Sequence, residues 1–251
     1  MDSSTEVWPR PYYAAGGGDV FLFYVVYGPI PRNFSISPTE YRCDGIPLGI
    51  EIGSYGPGSN PEVLDNFRAN YLWDELQRAN SKLAADIAKQ SECLIIQGTV
   101  SDPPDLDYLR NVVGFIAWCL DRGAVAVFDP QMFKWWTRAE WRKWLFEPAA
   151  AVPTHHIMIL TSEDENGTEW FHTRGMRKFG RPDLSAHRVS ADMREGIIDL
   201  FNRFIEYQAF GAIIPEGQEI KMRSLPPGMT CTHQGHVDDP DFNNVHIEIK
   251  R

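Results

Sequence analysis

The chain has 251 residues, 43% of them hydrophobic and 23% charged, with a formal net charge of −10. That length suffices for one substantial core or two smaller ones, and the composition is that of an ordinary globular protein. An acidic chain lacks the broad basic face that displaces counterions from phosphates, so nucleic acid is not an expected partner.

Residues 1–18, ending in Gly16-Gly17-Gly18, read as a flexible arm without the basic segment and apolar run of a signal peptide. "VFLFYVVY" (20–27) predicts a strand, and "PLGIEIG" (47–53) a second one that turns Leu48, Ile50 and Ile52 inward. The glycine-rich "GSYGPGSNP" (53–61) lacks both the Gly-Lys-Ser/Thr ending of a P-loop and the dinucleotide GxGxxG spacing, which leaves tight-turn glycines or an anion-binding turn. A long helix is expected to follow, with Asn60 as N-cap and Pro61 at its first position.

"CLIIQGTV" (93–100) predicts a strand, Asp102-Pro103 opens a helix stopped at Gly123, and "AVAVFD" (124–129) returns as a strand. Thr137 and Glu140 form a capping box, with Trp136 and Trp141 in the positions of a hydrophobic staple. "HHIMILTS" and "TEWFHT" flank Asn166-Gly167, a strong hairpin signal, and residues 192–208 carry an amphipathic helix capped by Ser190. Short strands are expected in the tail. The fold class is therefore α+β: a mixed sheet, partly parallel in the first half, with an antiparallel hairpin in the second and helices packed on the sheet. Residues 19–251 read as a single domain, with a candidate sub-boundary near 148–153.

No run reaches the roughly 20 apolar residues a membrane helix needs, so no membrane association is expected. Cys43, Cys93, Cys119 and Cys231 stand apart without a Cys-x-x-Cys pair, which suits buried thiols in a cytoplasmic setting.

One segment differs from its surroundings. Between Phe171 and Arg188 lie five Arg/Lys residues and one acid, Asp183. Met176 and Phe179, three apart, would anchor one helical turn and point Arg177 and Lys178 outward. Arg174, Arg177, Lys178, Arg181 and His187 would then form an anion- or partner-binding surface, with His172 the candidate acid/base. The competing structural reading pairs Arg181 with Asp183 and spreads the arginine stems over apolar surface. The segment "FHTRGMRKFGRPDL" resembles one in uncharacterised bacterial domains of unknown function that carry a His-Thr-x-Gly…Phe-Gly-x-Pro-[Asp/Glu] string. That resemblance implies a bacterial origin and carries no catalytic assignment.

A second cluster, "HQGHVDDPDFNNVH", offers His233, His236 and Asp238 as weak metal-ligand candidates, although its residues are also common turn formers. No nucleophile elbow is present, and no cofactor is expected. The expected function is non-catalytic binding of a protein partner or small anionic ligand, immunity-like or regulatory, through the basic loop 172–188. Its alternatives are an enzyme acting on phosphorylated or carboxylated small molecules through His172 and the arginines, and a metal-dependent hydrolase using the 233–246 cluster.

Overall fold

The computed structural model describes residues 6–29, 31 and 35–251. The chain forms two compact units. The first comprises the described residues through Trp8, Leu22–Val100 and Asp105–Ala151; the second comprises Pro9–Phe21, Ser101–Pro104 and Val152–Arg251.

The first unit is built on a five-stranded sheet of order β2-β3-β1-β4-β5. Its strands are β1 (Val20–Tyr27), β2 (Ile50–Tyr55), β3 (Cys93–Val100), β4 (Ala126–Asp129) and β5 (Lys134–Thr137). Alternation along β1 sends Val25 and Tyr27 to one face, where they meet Leu64, Trp73, Leu76, Leu83 and Ile87. Those residues come from α2 (Glu62–Asn66), α3 (Tyr71–Ala79) and α4 (Ser81–Ala88), which follow the short α1 (Pro38–Tyr41). The long helix expected from Asn60 is thus three helices. Asn60 sits at φ 46, while Asn70 and Asn80 accept the capping N–H bonds that start α3 and α4.

The helix expected from Asp102 begins later, as α5 (Asp107–Asp121). The β4 strand does not join β3, because β1 lies between them. The β1·β4, β2·β3 and β4·β5 ladders are all antiparallel, so the parallel pairing expected in the first half is not found in them. A strand–helix–strand rhythm fixes the connection between two strands but not their adjacency.

Thr137 and Glu140 make the reciprocal capping box at the start of α6 (Arg138–Trp141), and the Trp136 and Trp141 rings meet edge-to-face at 6.2 Å. The chain continues as one π-helical turn, Arg142–Phe146, that buries Leu145 but leaves Trp144 exposed.

The second unit carries a five-stranded sheet of order β6-β7-β8-β10-β9. These are β6 (Met158–Glu163), β7 (Glu169–Arg174), β8 (Asp183–Val189), β9 (Thr230–Gln234) and β10 (His246–Lys250). The predicted hairpin joins β6 to β7, with Asn166 and Gly167 both at positive φ. Parallel pairing occurs here, between β8 and β10, inside an otherwise antiparallel sheet. His155 belongs to a 3-10 turn, not to the strand expected to begin there. Buried Phe171, Leu184, Ala186, Ile247 and Ile249 supply the apolar side of this sheet, and α7 (Arg194–Ala209) buries Ile197, Leu200, Phe201 and Ile205. Ser190 does not cap α7; its hydroxyl donates to Asp192.

The segment read as a flexible arm is held in place: buried Trp8 donates its N–H to Asp107 Oδ1, and further on Tyr12 N–H donates to Phe210 O and Ala14 N–H to Gly211 O. All four cysteines are free and buried. Among the described residues, no helix is long and apolar enough to cross a membrane.

Candidate functional site

The basic stretch folds inward. Gly175, at φ 113, and Gly180, at φ 62, bracket a 3-10 turn, Met176–Phe179, whose two apolar ends are fully buried. A Cβ on Gly180 would lie 2.1 Å from Gly18 O, so only glycine permits this approach. The turn does not point Lys178 outward: its side chain is fully buried and its ammonium donates to His156 O at 2.9 Å.

Arg181 does not pair with Asp183. Its guanidinium meets Asp102 at 2.9 Å and donates to Ala212 O and Gly211 O, while Arg10 approaches the same carboxylate at 3.6 Å and donates to Ala209 O, Pro103 O and Phe179 O. Asp102, expected to open a helix, is instead the shared anion of this knot. Arg174 donates to Asp241 O, and Arg177 lies over the Phe21 ring and donates to Asn243 O. The arginines and lysine expected to converge on an anion are therefore partnered by the chain itself. That corrects the anion-binding expectation and removes the anion clamp from the catalytic alternative.

Asp183 is equally buried. It accepts hydrogen bonds from Thr173 Oγ1, Met176 N–H and Asn244 Nδ2, and burial nevertheless raises its pKa to about 6.

The other face of the second sheet is open. Registered partners share a face, so Leu160, His172, Ser185, Glu248 and Thr232 form one row across all five strands, with His246 and Gln234 in the next. Above this face lies a cleft of about 890 Å³, lined by Trp170, Ser185, His187, Phe242, His246 and Glu248 among others. Four rings line it, and the His172 ring packs against two of them. His187 stacks on Trp170 at 4.9 Å, Trp170 on His172 at 4.0 Å, and Phe242 meets His172 edge-on before stacking on His246 at 4.1 Å. The Trp170 indole N–H donates to Ser185 Oγ at 3.0 Å, fixing the ring over the sheet.

Burial, with a smaller contribution from Arg174, lowers His172 to about 4, and burial likewise lowers His246. Both imidazoles are neutral near pH 7, and the Nδ1 atoms of both make no hydrogen bond among the described residues. His187 pairs with Asp164 at 3.0 Å. Asp164 is held down to about 2 by the N–H groups of Arg188 and Glu165, and then by His187. Further carboxylates, Asp239, Asp241 and Glu165, stand at the rim beside Arg188, Lys250 and Arg251.

No family model, no curated protein and no solved structure matches this chain.

His187 thus lines the cleft and His172 packs against its Trp170 and Phe242 rings, whereas Lys178 and Arg181 serve the interior. Among the described residues, no three His, Cys, Asp or Glu side chains gather as a metal site. His233 Nε2 faces Ile214 O at 2.8 Å. Sequence reasoning missed Trp170, Phe242, His246 and Glu248 as a set. The one available signal was the period-2 alternation of β7 and β10, which places Trp170 with His172 and His246 with Glu248, but nothing in the sequence pairs those two strands through β8.

Proposed function

We propose that the protein acts by binding, and that its contact surface is the cleft on the open face of the second sheet. The observation carrying this reading is the coincidence of a concavity of about 890 Å³ with four lining rings, His187, Trp170, Phe242 and His246, linked through His172 behind them. Binding sites combine a largely aromatic or apolar wall with a few placed polar groups, and here Ser185, Gln234, His246 and Glu248 are those groups. The size suits a small molecule or one or two side chains of a protein partner. A regulatory or immunity-like role is compatible with either occupant.

A fragment screen read by NMR tests the reading, using the indole N–H of Trp170 and the ring signals of His187 and His246 as reporters. Trp170→Phe identifies the indole signal. Ligands are expected to shift these resonances together and to lose affinity in Trp170→Ala. Ligands that bind elsewhere and leave all three unmoved would overturn the assignment.

A further inference from the structure

Glu248 is the one carboxylate of the cleft lining that is both buried as a residue and without a partner among the described residues; Glu165 and Asp241 are exposed. Asp239 accepts the N–H groups of Asp241 and Phe242, and Asp164 those of Glu165 and Arg188. The Glu248 side chain has no hydrogen bond or ion pair among the described residues, although it is only 8% exposed and lines the cleft. The residue is packed into the sheet while its carboxylate faces the solvent of the cleft. The asymmetry has a chemical reading: the missing partner arrives from outside.

The surroundings define its chemistry. Ser185 and Thr232 flank Glu248 in register on β8 and β9, adding hydroxyl groups on either side of the carboxylate. Phe242 and His246 offer parallel ring faces next to it, with Trp170 beyond. The imidazoles of His172 and His246 carry no positive charge near neutral pH. Lys250 lies two residues along the same strand yet makes no ion pair with Glu248 among the described residues. Around the rim, four carboxylates (Asp164, Glu165, Asp239, Asp241) face three cations, Arg188, Lys250 and Arg251. With Glu248 the lining is net negative.

We propose that the cleft takes a flat organic cation, an amidinium or guanidinium, whose N–H fork engages Glu248 beside the Phe242–His246 ring stack. This rests on the binding reading above and names its ligand class. A planar cation is favoured over an ammonium because it makes two parallel hydrogen bonds to one carboxylate and stacks on aromatic faces. It is the opposite charge to the ligand that the basic stretch suggested.

Benzamidinium, benzamide and benzoate share one ring and differ in charge, so they isolate the claim. Each would be titrated into the full chain and into Glu248→Gln, following the Trp170 indole N–H, with circular dichroism confirming that the variant is folded. Benzamidinium should bind the unmodified protein, with benzamide and benzoate at least about tenfold weaker, and Glu248→Gln should weaken benzamidinium by a similar factor. N-acetylarginine amide, run beside benzamidinium, separates an arginine side chain of a polypeptide from a small free amidine as the source. Benzamide or benzoate binding as well as benzamidinium would overturn the cation assignment and leave the binding reading intact. So would benzamidinium failing while other fragments shift Trp170. The charge series decides the question even if Glu248→Gln does not fold.

Discussion

Two regions of the second unit bury charge and differ in one respect. In the Arg10–Asp102–Arg181 knot, both guanidiniums meet a carboxylate and several carbonyl oxygens. In the cleft, Glu248 makes no hydrogen bond or ion pair among the described residues. The first arrangement stitches together residues 9–21, 101–104 and the 175–183 loop, and its polar groups are internally consumed. The second leaves one polar group unconsumed beside ring faces. The difference teaches that a cluster of charge in a sequence marks scaffold or site only once its partners are known.

The largest expected effect breaks the knot. Arg181→Met leaves Asp102 with the longer Arg10 contact and the Gly17 N–H alone and strips donors from Gly211 O and Ala212 O, so a loss of about 3–5 kcal/mol is expected from denaturant midpoints. Benzamidinium affinity at temperatures where the variant is folded should stay unchanged; a loss there would mean that the two regions are one functional device.

Acid titration separates the regions next, because two buried groups act in opposite directions. Asp183 has a folded pKa of about 6 against an ordinary 3.8, so the folded state takes up its proton first. Its contribution to stability grows as pH falls from about 6 towards 4. His172, at about 4 against an ordinary 6.5, behaves the other way: its contribution is complete above 6.5 and is lost as pH falls towards 4. Each term is on the order of 2–3 kcal/mol. Asp183→Asn should therefore steepen acid destabilisation and His172→Phe should flatten it. Melting curves between pH 7 and 4 read both slopes, and equal slopes in the two variants would refute the assignment.

The smallest effect sharpens the contrast most. Glu248→Gln should leave stability within about 1 kcal/mol of the parent or raise it, since it removes a charge that the fold does not pair. A loss of several kcal/mol would place Glu248 with the knot, as part of the scaffold.

Much of the local structure was legible. Asn166-Gly167 announced the β6–β7 hairpin, Thr137…Glu140 the capping box, and Met176 with Phe179 the inward turn of the basic stretch, each because the signal acts over a few residues. The break of the expected long helix into three was legible only in part: Asn70 and Asn80 are good N-caps, yet the apolar stripe runs on past both. The destination of the arginines was not legible at all. Arg181 finds Asp102 across 79 positions of sequence and Arg10 finds Phe179 O across 169, and no local pattern encodes such a meeting.

By itself the sequence determined an α+β chain with these turns and caps, because propensity, alternation and capping chemistry are local. Tertiary structure alone decided which charges would be spent inside and which left open. Alternation in β7 sets Trp170 beside His172, but it takes the β7-β8-β10 order to bring Glu248 into their row. Strand order is a long-range choice among faces of similar hydrophobicity, and there the physical meaning of each charge was settled.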